Sequence, residues 1–172
     1  MANIGQIIEN KYEILKRIGK GGMSEVYLAM DRNLNKQWAV KEIKKKAHDK
    51  NNEVVIQSAI AEANMMKKLD HPCLPRIVDI IDRKNVIYVV MDYIEGEPLS
   101  KILEKYGAQP QETVIEWAKE LAGVLEYLHM QDPPIIYRDM KPANVMLQPN
   151  GHIKLIDFGI AREYKEQNVE DT

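Results

Sequence analysis

The chain has 172 residues, of which 45% are hydrophobic and 29% charged. That is globular composition, and it excludes a disordered, collagenous or coiled-coil polypeptide. With 24 Lys+Arg against 26 Asp+Glu, the formal charge of −2 offers no global positive field for nucleic acid or anionic lipid.

The single cysteine, Cys73, excludes an intrachain disulfide framework and a multi-cysteine metal site, and it fits a reducing compartment. No segment reaches the roughly 18 apolar residues of a membrane span. The opening Met1-Ala2-Asn3 lacks the regions of a signal peptide. A cytoplasmic chain, or the cytoplasmic part of a longer protein, is expected.

Tyr12–Ile18, Glu25–Met30 and Gln37–Ile43 alternate as strands, joined by turn chemistry at Gly19–Ser24 and Asp31–Lys36. Three sequential antiparallel strands follow from that pattern. Val55, Ala59, Met65, Met66 and Leu69 then recur at helical spacing against polar Glu53, Gln57, Lys67 and Lys68. Asp70-His71-Pro72 stops this helix. Ile77–Ile81 and Val86–Met91 form a hairpin around Asp82–Asn85, and Glu95-Gly96-Glu97-Pro98 is a linker. Gln111–Met130 is the longest helix, with Val114, Trp117, Ala118, Leu121, Leu125 and Leu128 along one stripe. A last hairpin, Val145–Leu147 with His152–Ile156, turns at Asn150-Gly151. Strands come early and helices late, an α+β pattern with two lobes.

Four places carry candidate chemistry. Gly19-Lys20-Gly21-Gly22-Met23-Ser24-Glu25-Val26 could cover phosphates, because glycine leaves no side chain between backbone amides and an anion. A plain hairpin turn explains it as well. A dinucleotide fingerprint is ruled out, since it must open a helix and Val26-Tyr27-Leu28-Ala29 continues as strand; a Walker-type loop is absent. In Ala39-Val40-Lys41 a lysine stands in an apolar strand. It either faces solvent on an edge strand or pairs with Glu62 of the following helix. Tyr137-Arg138-Asp139-Met140-Lys141-Pro142-Ala143-Asn144 gathers a carboxylate, an ammonium and an amide, as a polar surface loop also would. Asp157-Phe158-Gly159 follows an apolar strand; it could hold a divalent ion or simply turn the chain.

In this order and spacing the four motifs resemble a protein kinase catalytic domain. The wording of the glycine loop is similar to the bacterial group of eukaryotic-type Ser/Thr kinases. Lys141, two residues after Asp139, is the Ser/Thr-type choice. The resemblance runs from about Tyr12 to the C-terminus. It implies a complete N-terminal lobe over residues 1–94, an antiparallel sheet plus one helix. A partial, mainly helical C-terminal lobe follows over 95–172, with a hinge near 92–97 and a nucleotide cleft between the two.

It further implies ATP and Mg²⁺ as cofactors and a protein hydroxyl on Ser or Thr as acceptor. Gly19, Gly21, Gly22 and Ser24 would cover the phosphates; Val26, Ala39 and Met146 would sandwich adenine. Met91 would be the gatekeeper, and the Asp92 and Ile94 backbone would hydrogen-bond the base edge. Lys41 would bind phosphates and pair with Glu62. Asp139 would orient the acceptor hydroxyl beside Lys141, and Asn144 and Asp157 would hold the metal.

Two residues depart from the family pattern mildly: Ser24 for the third glycine, and Tyr137 for the usual His. The sequence also stops at Thr172, before the Ala-Pro-Glu motif and the helices that follow it in the family. Apolar surface is therefore expected on Gln111–Met130 and beneath Tyr137–Asn144, and with it self-association as a homodimer. The alternative to a kinase is a truncated nucleotide-binding fragment that transfers nothing and acts as a binding or self-associating module.

Overall fold

The computed structural model describes residues 2–20, 24–45, 50–156 and 162–163. It divides into two compact units: Met1–Leu69 with Arg76–Tyr93, and Asp70–Pro75 with Ile94–Thr172.

The first unit is a six-stranded antiparallel sheet with one helix. Its strands are β1 (Ile7–Ile8), β2 (Tyr12–Lys20), β3 (Ser24–Asp31) and β4 (Lys36–Lys44), then, after helix α1 (Lys50–Met66), β5 (Ile77–Arg83) and β6 (Val86–Asp92). Their order is β1-β2-β3-β4-β6-β5. The predicted strands and hairpin are all present. β1 escaped the sequence pattern because two residues cannot display a period of two. It is set by a tight turn in which Glu9 and Asn10 adopt φ of 51° and 53°, the conformation of a two-residue hairpin turn.

Cross-strand register sorts the side chains. Val26 lies opposite Lys41 and Leu28 opposite Ala39, while Val89 and Met91 face Lys41 and Ala39 from β6. These six share one face. The other face carries the core: Tyr12, Ile14, Tyr27, Ala29, Trp38, Val40, Tyr88 and Val90, joined by Ile81, Ile8 and Ala2. Twist closes this face on itself. The hydroxyl of Tyr12 in β2 donates to Asp79 Oδ2 of β5 at 3.4 Å, and Arg83 of β5 meets Glu9 beside β1 at 2.6 Å. The two edges of the sheet thus approach each other, with the N-terminal residues tucked into the interior.

β4 lies between β3 and β6. The edge-strand alternative for Lys41 is thereby overturned: the strand is interior, and Lys41 stands half-buried between Val26 and Val89. Ala63, Met65, Met66 and Leu69, in and just after α1, are buried, and α1 packs beside β5.

The β3–β4 turn rests on one carboxylate. Asp31 is fully buried, and its Oδ1 accepts the N–H groups of Asn33 and Leu34 at 2.9 and 3.0 Å. The Lys11 ammonium lies 3.5 Å from Oδ2. Burial pushes the carboxyl upward, but the two N–H groups and Lys11 outweigh it and hold it below the ordinary Asp value. Such stabilisation is complete above the unfolded-state pKa and is lost as pH falls through the folded one. Asp31→Ala is therefore expected to cost about 2 kcal/mol at neutral pH. In urea melts the difference from wild type should shrink once pH drops below about 3.9.

In the second unit β7 (Glu97–Pro98) leads into α2 (Leu99–Tyr106), followed by α3 (Gln111–His129) and β8 (Ile135–Ile136). A 3-10 turn at Pro142–Asn144 enters β9 (Val145–Leu147), which pairs with β10 (Ile153–Leu155); β11 (Arg162–Glu163) pairs with β8. Pro98 and Pro110 stand in extended conformation just before α2 and α3, where a missing N–H costs nothing. β7 joins β9 as a third strand, which the sequence read only as linker.

On α3 the buried residues are Trp117, Val124 and Leu128, while Val114 and Ala118 are exposed. The apolar stripe is therefore rotated from the predicted one and centred on Val124. Glu120 ties α3 to the β9–β10 turn: its carboxylate accepts the Ile153 N–H at 3.0 Å and meets His152 Nδ1 at 2.8 Å. The turn itself carries the predicted Asn150-Gly151, with Gly151 at φ 84°.

The loop 70–75 is anchored in this unit as well. The Asp70 N–H donates to the Tyr127 hydroxyl, and the Leu155 N–H donates to the Cys73 carbonyl. Cys73 is buried, which raises its thiol pKa and leaves it protonated.

Candidate active site

Each unit brings together part of the predicted set. In the first, Val26, Ala39, Lys41 and Met91 share the sheet face opposite the core. Gly19 pairs with Val26, and a Cβ built on it would sit 3.5 Å from Val26 Cβ. Ser24 opens β3 opposite Ile43. Gly21 and Gly22 lie outside the described residues.

Glu62 is half-buried on α1 and has an interaction partner of its own. The ion pairs among the described residues do not include a Lys41–Glu62 bridge, and that pairing stays an expectation. The Asp92 N–H donates to the Arg76 carbonyl at 3.0 Å, while Asp92 Oδ2 accepts the Arg76 N–H at 2.9 Å. A base-edge contact from Asp92 would therefore fall to its carbonyl.

The second unit holds the tighter group. Asp139 Oδ2 lies 2.8 Å from Lys141 Nζ and accepts from Asn144 Nδ2 at 2.9 Å. The same Asn144 amide donates to the Asp139 carbonyl at 3.0 Å. The backbone closes the loop, Asn144 N–H donating to the Lys141 carbonyl at 2.9 Å. The hydrogen bond from Lys141 is the main cause that holds the Asp139 carboxyl below its usual value, with Asn144 adding to it and burial opposing. Asp139 is thus ionised at neutral pH. Asn144 is 6% exposed; with Nδ2 committed to Asp139, its Oδ1 is left as the acceptor, the type of oxygen a hard divalent cation takes. Asp157 and Phe158 lie outside the described residues, and Met146 sits half-buried on β9.

Two structural positions in this unit were not legible. Ile156, the residue before Asp157, is fixed from both sides: its N–H donates to the Asn144 carbonyl at 2.9 Å, and its carbonyl accepts the Tyr137 hydroxyl at 2.8 Å. The sequence flagged Tyr137 only as a packing substitute, because a hydroxyl's partner is invisible without the fold. Tyr137→Phe is expected to lower stability by about 1 kcal/mol, the worth of one neutral hydrogen bond. A melting curve should then shift by about 2–4 °C. Gly96, read as linker, is the second such position.

Comparison with known proteins decides the family. The protein kinase domain model matches residues 12–172. The chain belongs to the protein kinase family.

This kinase chain is 37% identical over 98% of its length to a probable serine/threonine-protein kinase of Clostridium perfringens. It is 32% identical over 98% to serine/threonine-protein kinase PrkC of Bacillus subtilis, and 31% identical over its whole length to the probable serine/threonine-protein kinase PknB of Lactococcus lactis. It covers 24%, 26% and 27% of those three proteins in turn, so it spans about a quarter of the relatives it matches. The α+β class expected from sequence holds: a curled antiparallel sheet with one helix, followed by a mainly helical unit.

Proposed function

We propose that this chain carries the nucleotide-binding and catalytic-loop part of a Ser/Thr protein kinase, which transfers the γ-phosphate of ATP to protein Ser or Thr hydroxyls. The supporting observation is the Asp139 carboxylate held between the Lys141 ammonium and the Asn144 amide. Phosphoryl transfer passes through a loose transition state, so positioning and charge neutralisation supply most of the catalysis. Asp139 accepts and orients the acceptor hydroxyl and needs no raised pKa to do so. Lys141 neutralises charge on the transferring group.

Lys41 binds the α- and β-phosphates, with Glu62 as its partner when nucleotide is bound. Gly19, Gly21, Gly22 and Ser24 cover the phosphates, and Val26, Ala39 and Met146 pack on adenine. Met91 stands at the gatekeeper position, with Asp92 and Ile94 supplying the base-edge hydrogen bonds. Asn144 and Asp157 hold the divalent ion, Mg²⁺ in this proposal, which neutralises phosphate charge when bound. Among the described residues no helix is long and apolar enough to cross a membrane; a cytoplasmic setting, where ATP is abundant, fits this reading.

Titrating MgATP and then assaying γ-phosphate transfer to a serine-containing basic protein tests the proposal. Transfer supports it; binding without transfer selects the alternative of a nucleotide-holding, self-associating module; neither overturns both.

One observation favours self-association. Val114, Ile115, Ile136 and Met140 are 45%, 43%, 36% and 40% exposed, and exposed apolar surface seeks partners. Light scattering is expected to show a mass that rises with concentration, and Val114→Asp with Ile115→Asp should return it to the monomer value.

A further inference from the structure

β4 alternates, so Ala39 and Lys41 face one side of the sheet while Val40 and Glu42 face the core. The core side also carries two facing carboxylates, Glu25 and Glu42, which are 6% and 2% exposed and stand directly opposite each other on adjacent strands. Like charges in that arrangement repel, and burial alone penalises each of them. Their compensation comes from different places. Glu25 accepts the Tyr27 hydroxyl and has Arg17 Nη1 at 3.8 Å. The Tyr27 hydroxyl is the main cause that holds its carboxyl below the ordinary Glu value. Glu42 accepts the backbone N–H of Ala2 at 2.7 Å, a buried hydrogen bond spanning 40 residues of sequence.

The segment that delivers this N–H is well fastened. Gly5 N–H donates to the Ile14 carbonyl at 2.8 Å, Ile14 N–H donates to the Gln6 carbonyl at 2.9 Å, and Ile8 is completely buried. Arg83 holds the following turn through Glu9 at 2.6 Å. Removal of the segment would take the Ala2 N–H away from Glu42 or let its side chain swing outward. Either change falls on the residue adjoining Lys41.

We propose that Glu42, clamped by residues 2–8, is a positioning residue for Lys41, and that this N-terminal segment is an intramolecular strap which stiffens β4 for nucleotide binding. The inference rests on the nucleotide reading of Lys41 given above.

Amide hydrogen exchange and MgADP titration on Glu42→Ala, Glu42→Gln and Glu42→Asp test it. Gln keeps an acceptor for the Ala2 N–H. Asp keeps the charge but withdraws it by one methylene. Glu42→Ala and Glu42→Asp are expected to speed exchange at Ile14 and at Val40–Ile43 together, to leave α3 unchanged, and to raise the MgADP Kd about fivefold, part of the worth of a hydrogen bond to a charged group. Glu42→Gln should stay near wild type in both readouts. If Glu42→Ala fails to fold, Glu42→Asp carries the same expectation.

Faster exchange at Ile14 with β4 unchanged overturns the proposal. So does equal acceleration of every amide including α3, or a Gln variant as weak as Ala. Should wild type not bind MgADP at all, the nucleotide reading fails, and the exchange data alone decide whether the strap controls β4.

Discussion

Gly96→Ala is expected to lower the melting temperature by about 6–12 °C, the consequence of about 3 kcal/mol lost in a chain of this size. Two costs combine. Gly96 has φ of 129°, a region that residues with a Cβ avoid. A Cβ there would also lie 2.0 Å from the Leu147 carbonyl oxygen, 2.9 Å from its carbon and 3.1 Å from Gln148 Cα. All three are backbone atoms, so no side chain can rotate away. Relief requires β7 to separate from β9, breaking the pairs Glu97 with Leu147 and Pro98 with Met146. β7 also packs on α2 and on the 3-10 turn that ends in Asn144, so the damage reaches the Asp139, Lys141 and Asn144 group.

Gly107→Ala is the matched control. Gly107 has φ of 71° and nothing within 4 Å of its added Cβ. Only the backbone term applies there, about 1–3 kcal/mol for φ 71° with ψ −152°. Differential scanning calorimetry on both variants separates the two costs. Equal shifts would show that close approach to Leu147 is not what Gly96 provides.

The contrast between these glycines marks where sequence reading stops. Strands β2, β3 and β4 and the β5–β6 hairpin were legible because alternation of period two and turn residues are local signals. Helix α3 was legible in extent, and Trp117 and Leu128 of its predicted stripe are buried, yet Val114 and Ala118 are not. Val114 and Ala118 fit the helical period but are exposed among the described residues, whereas Val124 is fully buried. The Asp139, Lys141 and Asn144 group was legible as a cluster because its members fall within six residues.

Long-range partners were not legible. Neither the Ala2 N–H on Glu42, nor Tyr137 on Ile156, nor Gly96 against Leu147 leaves a trace in local pattern, since each depends on where a distant backbone atom arrives. Glu42 had one faint signal, a carboxylate on the same strand face as Val40 and Trp38, where burial of a charge demands a compensating donor.

Lys41→Met is expected to weaken MgADP binding about a hundredfold while leaving the fold intact, a loss of about 2.7 kcal/mol and within the range of hydrogen bonds to charged groups. The substitution is clean because of where Lys41 stands. It lies on an interior strand with Val26 and Val89 opposite, so a methionine of similar reach meets apolar neighbours and buries no new polar atom. The melting temperature should therefore hold or rise slightly.

What disappears is a compact ammonium with three donors, which a phosphate binds as a point charge. Salt provides the second readout. Wild-type affinity should fall as ionic strength rises, because part of it is Coulombic, and the Met variant should show a flatter dependence. Calorimetric titration at two salt concentrations measures both. Wild-type affinity in Lys41→Met would remove Lys41 from the site, and with it the reason for an ammonium on the otherwise apolar face shared by Val26, Leu28, Ala39 and Met91.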